Sequence, residues 1–284
     1  RVTTDLENAL ETIEKQNALL DQQKNILQNE LQIAHMVQTR LYSQEFDRFN
    51  LVLAAGYYQA MAQLGGDMWE FAESGDSFLG VIGDVMGHGV ASSLISIASK
   101  TLFKKKFEEQ SRTGIDLAAM TTIINQEIME VTGGNSFLTA GLIRIDADYK
   151  MEYLTCGHPP IIYLPAEQVN DSRECFTEQP MLGIFKNHLF YSESMQLKPG
   201  DRVFLYTDCL IESLNPDGKL LNIADVIERI RKNPGSHPKD VIKIILDYRQ
   251  EFARTEELPD DLAVVCIEIP HGGQSARPEV FSVT

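Results

Sequence analysis

Along the N-terminal stretch, the residues Leu6, Leu10, Ile13, Asn17, Leu20, Lys24, Leu27, Leu31, Ala34, Gln38 and Leu41 are spaced alternately by four and three. A mean period of 3.5 residues keeps one seam of a helix turned toward a partner and predicts a left-handed coiled coil. With Leu6, Ile13, Leu20, Leu27, Ala34 and Leu41 at d, the a positions carry Leu10, Asn17, Lys24, Leu31 and Gln38. Polar a residues pair across two parallel strands but are poorly satisfied in larger bundles, so the pattern predicts a parallel homodimer through residues 6–41. A single amphipathic helix packed on its own domain is the competing reading, and the absence of Gly and Pro over these heptads weighs against it.

After Tyr42 the period changes. Short apolar runs predict buried strands at Leu51–Ala55, Phe78–Ile82, Leu138–Ile145, Met151–Thr155, Ile161–Leu164, Leu189–Leu197, Val203–Tyr206 and Leu262–Ile269. Helical patterns fall at Val90–Phe107, Ile115–Val131, Ile223–Arg231 and Lys239–Phe252. Strands, two helices, strands, two helices and a last strand favour an α+β fold with an antiparallel core over alternating β-α-β units. The expected division is a coiled-coil linker and dimerisation helix over 1–45, a main domain over 46–270, and a flexible tail rich in Gly, Ser and Pro over 271–284.

Charge narrows the partners. With 25 basic against 41 acidic residues and a net charge of −16, the chain is a poor match for a phosphate backbone or an anionic membrane. No run approaches the roughly 18 to 20 apolar residues that span a bilayer, so no direct membrane contact is expected of this chain. Cys156, Cys175, Cys209 and Cys266 are widely spaced with no C-x-x-C pair, which fits reduced thiols and a cytoplasmic location. The chain starts at Arg1, which leaves open a longer protein with a sensor or membrane anchor upstream.

The candidate chemistry lies in four aspartates set in apolar or glycine-rich surroundings. Asp67 follows Gly65-Gly66, Asp84 closes Val81-Ile82-Gly83, Asp208 ends Val203-Phe204-Leu205-Tyr206-Thr207, and Asp260 precedes Asp261-Leu262-Ala263-Val264-Val265. A carboxylate at the end of a buried strand costs several kcal/mol unless something positive meets it. Convergence on hard divalent cations meets that need, and the Val85 carbonyl beside Gly87-His88-Gly89 can add an oxygen ligand. Two such ions close together activate a water for attack on phosphorus. Singly, these aspartates read equally well as turn or cap residues. His88 between two glycines reads first as a turn residue, and His158 before Pro159-Pro160 as a structural corner.

Seven motifs in order then resemble one family. They are Gly65-Gly66-Asp67-Met68-Trp69-Glu70, Gly83-Asp84-Val85-Met86-Gly87-His88-Gly89, Cys156-Gly157-His158-Pro159-Pro160, Leu182-Gly183-Ile184, Leu197-Lys198-Pro199-Gly200-Asp201, Tyr206-Thr207-Asp208 and Asp260-Asp261-Leu262-Ala263-Val264-Val265. Over about residues 50–270 the chain resembles the SpoIIE/RsbU-type serine/threonine phosphatases of the type 2C (PPM) superfamily. The resemblance implies an α-β-β-α sandwich of two antiparallel sheets flanked by helices, with two Mn²⁺ or Mg²⁺ ions between them. It implies that Asp67, Asp84, the Val85 carbonyl, Asp208 and Asp260 hold the metals, with Asp84 bridging, and that catalysis runs through metal-activated water. It further implies a phosphoserine or phosphothreonine substrate on a STAS-domain protein in a partner-switching pathway, with the upstream helix as a signalling linker. Two positions depart from the pattern. Cys209 stands where the family has Gly, placing a side chain where the backbone takes an unusual torsion or approaches the metal closely. Glu70 stands where Asp is usual, with a longer reach toward an outer contact of the site. Cys209 keeps a second reading open, a catalytically weak or silent module that binds its partner and relays dimer rearrangement.

Overall fold

The computed structural model describes residues 2–42, 46–110, 114, 116–167 and 171–271. Contacts divide the chain into two compact units, one ending at Leu41 and one beginning at Tyr42. The first is a single helix, α1 (Val2–Leu41), on which Leu10, Ile13, Leu20 and Leu27 are each more than half exposed. At these four positions the heptad seam stands uncovered in the single chain, whereas Leu31 and Ala34 are half-buried and Gln38 is buried.

The second unit begins with β1 (Phe46–Arg48), β2 (Leu53–Gln59), β3 (Met68–Ser74), β4 (Ser77–Val85), α2 (Val90–Gln110) and α3 (Leu117–Thr132). It continues with β5 (Leu138–Asp146), β6 (Lys150–Cys156), β7 (Ile161–Leu164), β8 (Arg173–Cys175), β9 (Glu193–Gln196) and β10 (Arg202–Tyr206). It closes with α4 (Cys209–Glu212), α5 (Ile223–Arg231), α6 (Pro238–Ala253) and β11 (Leu262–Glu268). Two sheets result, in the orders β1-β2-β11-β10-β7-β8 and β3-β4-β5-β6-β9, and every pairing is antiparallel. Helices α2 and α3 accompany the five-stranded sheet, while α5 and α6 accompany the six-stranded one. This is the layered α+β arrangement expected from the order of the elements.

Strands β10 and β11 show why their sequences read as continuous apolar runs. Alternate side chains of a strand face opposite ways. Val203, Leu205, Ala263, Val265 and Ile267 enter the core between the sheets. Phe204, Tyr206, Leu262, Val264 and Cys266 enter a second core with Val226, Ile230, Val241 and Ile245 of α5 and α6. Both faces are buried, so charged residues are confined to the strand ends, Arg202 and Glu268.

Several boundaries differ from expectation. The first apolar run begins its strand at Leu53 and carries it to Gln59. Strand β3 has no counterpart in the apolar pattern, because Glu70 and Glu73 interrupt it. Its Glu70 is buried, with Lys100 Nζ at 3.1 Å and Lys104 Nζ at 3.5 Å, both from α2. The strand expected over Leu189–Leu197 is confined to β9, for reasons that lie in the preceding loop. The three-residue β8 is too short to leave a periodic signal. Apart from His271, the expected tail lies outside the described residues.

The two sheets approach each other closely where Gly56 of β2 faces Trp69 of β3. A Cβ on Gly56 would fall 2.6 Å from the fully buried indole, so only glycine fits. Replacing Gly56 by Ala is expected to lower unfolding free energy by about 1–3 kcal/mol, the usual cost of overpacking a core, as read by denaturant titration.

Candidate metal centre

All four predicted aspartates sit beside strand ends at one edge of the sandwich. Asp67 immediately precedes β3, Asp84 is the penultimate residue of β4, Asp208 lies two residues past β10, and Asp260 two residues before β11. The first pair belongs to the five-stranded sheet and the second to the six-stranded sheet. Folding thus gathers carboxylates that are far apart in sequence.

Backbone geometry explains the glycines. A Cβ on Gly66 would lie 2.8 Å from the Val85 carbonyl oxygen and 3.2 Å from that of Gly87, so this position admits no side chain. One on Gly65 would strike the Asp261 carboxyl group and the Tyr58 hydroxyl. Gly87 and Gly89 take φ of +86° and +94°, conformations that favour glycine, and the turn they make leads into α2. Two backbone carbonyls, of Val85 and Gly87, are thereby brought beside the Gly-Gly-Asp turn.

Asp67 is fully buried and accepts a hydrogen bond of 2.7 Å from Thr207 Oγ1, next to Asp208. Thr207 Oγ1 also accepts from the Ala263 amide at 2.9 Å, tying β3, β10 and β11 together at this edge. Burial first, and then the charge of Asp84, hold the Asp67 carboxyl well above the usual carboxylate range. Asp84 is pushed up to about 7 by burial and by the charges of Asp208 and Asp260, against the opposing effect of its hydrogen bond with Asp67. Burial and then the Asp260 charge raise Asp208. As residue preceding α4, Asp208 makes no side-chain capping bond, which removes the cap reading at this position.

Asp261 was not singled out by the apolar pattern as a site residue, yet it builds the site. Its carboxylate accepts from the Met61 amide at 2.8 Å and the Gly66 amide at 2.6 Å, fastening the turn that carries Asp67. The only sequence signal was a second acid before a buried strand. His158 is buried with Nδ1 2.8 Å from Thr139 Oγ1, and burial lowers it to about 3, so the ring is neutral. His88 is exposed on its turn. Glu70 pairs with α2 rather than with the aspartates. Cys209 opens α4, and its position is absent from the residues with positive φ among those described. Its thiol donates to the Asp260 carbonyl at 3.2 Å. The unusual torsion expected at this position is not there, because an α-helical start accepts any L residue.

The donor set is oxygen throughout, which fits a hard divalent cation and not zinc. Mutual repulsion among these carboxylates is the charge deficit such a cation would relieve. Among the described residues, however, no three His, Cys, Asp or Glu side chains converge closely enough to hold an ion as they stand. The aspartates are electrostatic neighbours, with Asp261 committed to backbone amides and one Asp67 oxygen to Thr207.

The sandwich is the fold of the PP2C-type phosphatases. It superposes on the SiaA PP2C domain of Pseudomonas aeruginosa with a TM-score of 0.71 at 15% identity, covering 87% of this chain and 97% of that one. It also matches the catalytic domain of the serine/threonine protein phosphatase PstP, determined with two manganese ions, with a TM-score of 0.55 at 12% identity over 78% of this chain and 99% of the other. Residues 74–270 match the family described as stage II sporulation protein E (SpoIIE), and the chain belongs to that family. By fold it is a domain of the PP2C type. The phosphoserine phosphatase RsbP of Bacillus subtilis (strain 168) is 26% identical over 242 residues, which are 84% of this chain and 58% of that protein. The chain thus spans little more than half of that relative. Asp67 lies just ahead of the family match, and its place in the site rests on the geometry above.

The raised carboxyl groups carry a sign that can be measured. Below the ordinary carboxylate range Asp84 is protonated in folded and unfolded chains alike; as pH rises toward about 7 the unfolded chain releases a proton that the folded chain retains. Metal-free protein should therefore lose stability as pH rises through this window, and Asp84→Asn should flatten the slope. Melting temperature against pH in the presence of a chelator checks both outcomes.

Proposed function

We propose that this domain is a metal-dependent phosphoprotein phosphatase whose Asp67, Asp84, Val85 carbonyl, Asp208 and Asp260 hold two Mn²⁺ or Mg²⁺ ions. The supporting observation is that the charge of Asp208, from the six-stranded sheet, raises the proton affinity of both buried Asp67 and half-buried Asp84 of the five-stranded sheet. Bound divalent ions would supply an activated water and neutralise charge developing on a phosphoryl group.

The chain's own residues have separable tasks. Thr207 fixes one Asp67 oxygen, and Asp84 is hydrogen-bonded to the same carboxyl group. Asp261, through the Met61 and Gly66 amides, holds the turn on which Asp67 stands. The missing side chain at Gly66 allows the Val85 carbonyl to approach that turn. Asp84 lies between both pairs of charges, being hydrogen-bonded to Asp67 and repelled by Asp208 and Asp260, which suits a bridging ligand. No side-chain nucleophile is needed.

The substrate proposed is a phosphoserine or phosphothreonine on a STAS-domain regulatory protein in a cytoplasmic partner-switching pathway, in line with the family resemblance. The exposure of Leu10, Ile13, Leu20 and Leu27 on α1 supports a homodimer through residues 6–41 acting as a signalling linker. No helix among the described residues is long and apolar enough to cross a membrane. The reading of a silent module rested on Cys209, and the unstrained helical start at that residue weakens it.

Phosphate release from a phosphomonoester, followed against Mn²⁺ concentration, should be Mn²⁺-dependent in the native chain and abolished in Asp208→Asn. At saturating Mn²⁺, Cys209→Gly should stay close to native; a large gain would instead identify a silenced domain. In sedimentation the native chain should run as a dimer, and Asn17→Leu with Lys24→Leu should strengthen association while loosening control of oligomer number. A monomer before and after that change removes the dimer.

A further inference from the structure

A buried guanidinium lies behind the half of the site contributed by the six-stranded sheet. Arg249 of α6 is 4% exposed, and its three hydrogen bonds in the described structure all go to neutral acceptors. Nε donates to Ser213 Oγ at 3.1 Å, Nη1 to the Thr255 carbonyl at 3.1 Å, and Nη2 to the Glu257 carbonyl. Buried arginine is ordinarily matched by a carboxylate, since leaving its charge uncompensated is unfavourable. Here the whole fork is committed to holding chain segments.

Those segments are the mounts of Asp208 and Asp260. Asp208 leads into α4, and Ser213, at the end of that single turn, donates back to the Cys209 carbonyl at 2.9 Å. Thr255 and Glu257 lie in the link from α6 to Asp260, which runs on through Leu258 and Pro259, where the proline ring fixes φ. The Cys209 thiol on the Asp260 carbonyl is a second tie between the same two segments. Two carboxylates of like charge push their supports apart, and a planar fork reaching both supports resists that in one geometry. Lysine, with a single nitrogen on a flexible stem, cannot.

We propose that Arg249 is a positioning residue: it fixes the separation of the segments carrying Asp208 and Asp260, and so sets how tightly that half of the site holds a divalent cation. The proposal rests on the reading of Asp208 and Asp260 as metal ligands. It assigns the residue no contact with substrate or with the ions.

The test is Mn²⁺ binding by the full chain, read from the electron paramagnetic resonance of free Mn²⁺, alongside melting without metal. Arg249→Lys is expected to weaken binding by about 10- to 100-fold, the range for losing an outer support of a metal ligand, with full stoichiometry recovered at high Mn²⁺. Ser213→Ala, which removes one of the three acceptors, should give a smaller loss of the same kind. Arg202→Lys is the control. That arginine is buried at the opposite end of β10, paired with Glu268 at 2.7 Å, and its replacement should lower the melting point yet leave Mn²⁺ affinity native. Native affinity in Arg249→Lys and Ser213→Ala, with binding lost in Asp208→Asn, overturns the positioning role and keeps the ligand reading. Native affinity in Asp208→Asn overturns both. Should Arg249→Lys fail to fold, native affinity in Ser213→Ala is enough to overturn the proposal.

Discussion

Repulsion among carboxylates at one edge of the sandwich is the constraint on which the rest of the structure depends. Asp67 and Asp84 come from one sheet, Asp208 and Asp260 from the other; Asp67 is fully buried, Asp84 and Asp208 are half-buried, and Asp260 is exposed. A charge desolvated as fully as that of Asp67 opposes folding by on the order of several kcal/mol. The opposing contribution comes from the core between the sheets, where Trp69, Phe78, Val265 and Ile267 are almost fully buried, and from the second core under α5 and α6. A rigid double-layered scaffold holds together groups that would separate if left to themselves.

Much of this was legible in the residues. Helix α1 follows from its heptads, and β10 and β11 from runs whose two faces are both apolar. The four aspartates stood out because a charge in such a run requires an explanation. The parts that escaped depend on partners distant in sequence. Strand β3 is disguised by Glu70, whose burial makes sense only once Lys100 of α2 is beside it. Asp261 and Arg249 show their roles only through bonds to Gly66, Ser213 and Glu257, which no periodicity reveals.

The two departures from the family pattern have different physical outcomes. Cys209 occupies an ordinary helical position, and its thiol takes up a bond to Asp260 that glycine lacks. Glu70 uses its extra methylene to meet two lysines of α2, with Lys100 also 4.9 Å from the Trp69 ring centroid. The first substitution adds a tie beside the carboxylates, and the second fastens a flanking helix to its sheet. Neither introduces a group that competes for the place of an aspartate.

The segment between Leu182 and Tyr191 extends the same logic to the surface. Its backbone is held by side chains in place of a strand ladder: Asn125 receives the Gly183 amide and donates to the Phe185 carbonyl, Thr122 receives Phe190, and Gln179 both receives from and donates to Tyr191. Leu182 also pairs with Leu138 at the start of β5. Phe185 and Leu189 are therefore exposed on a support fastened to α3 and β5, so they keep little of the conformational freedom usual for a loop. An amide in this segment would exchange with deuterium at the pace of the helix and strand that grip it, and a visitor to this apolar rim would meet a surface whose ordering entropy was already spent during folding.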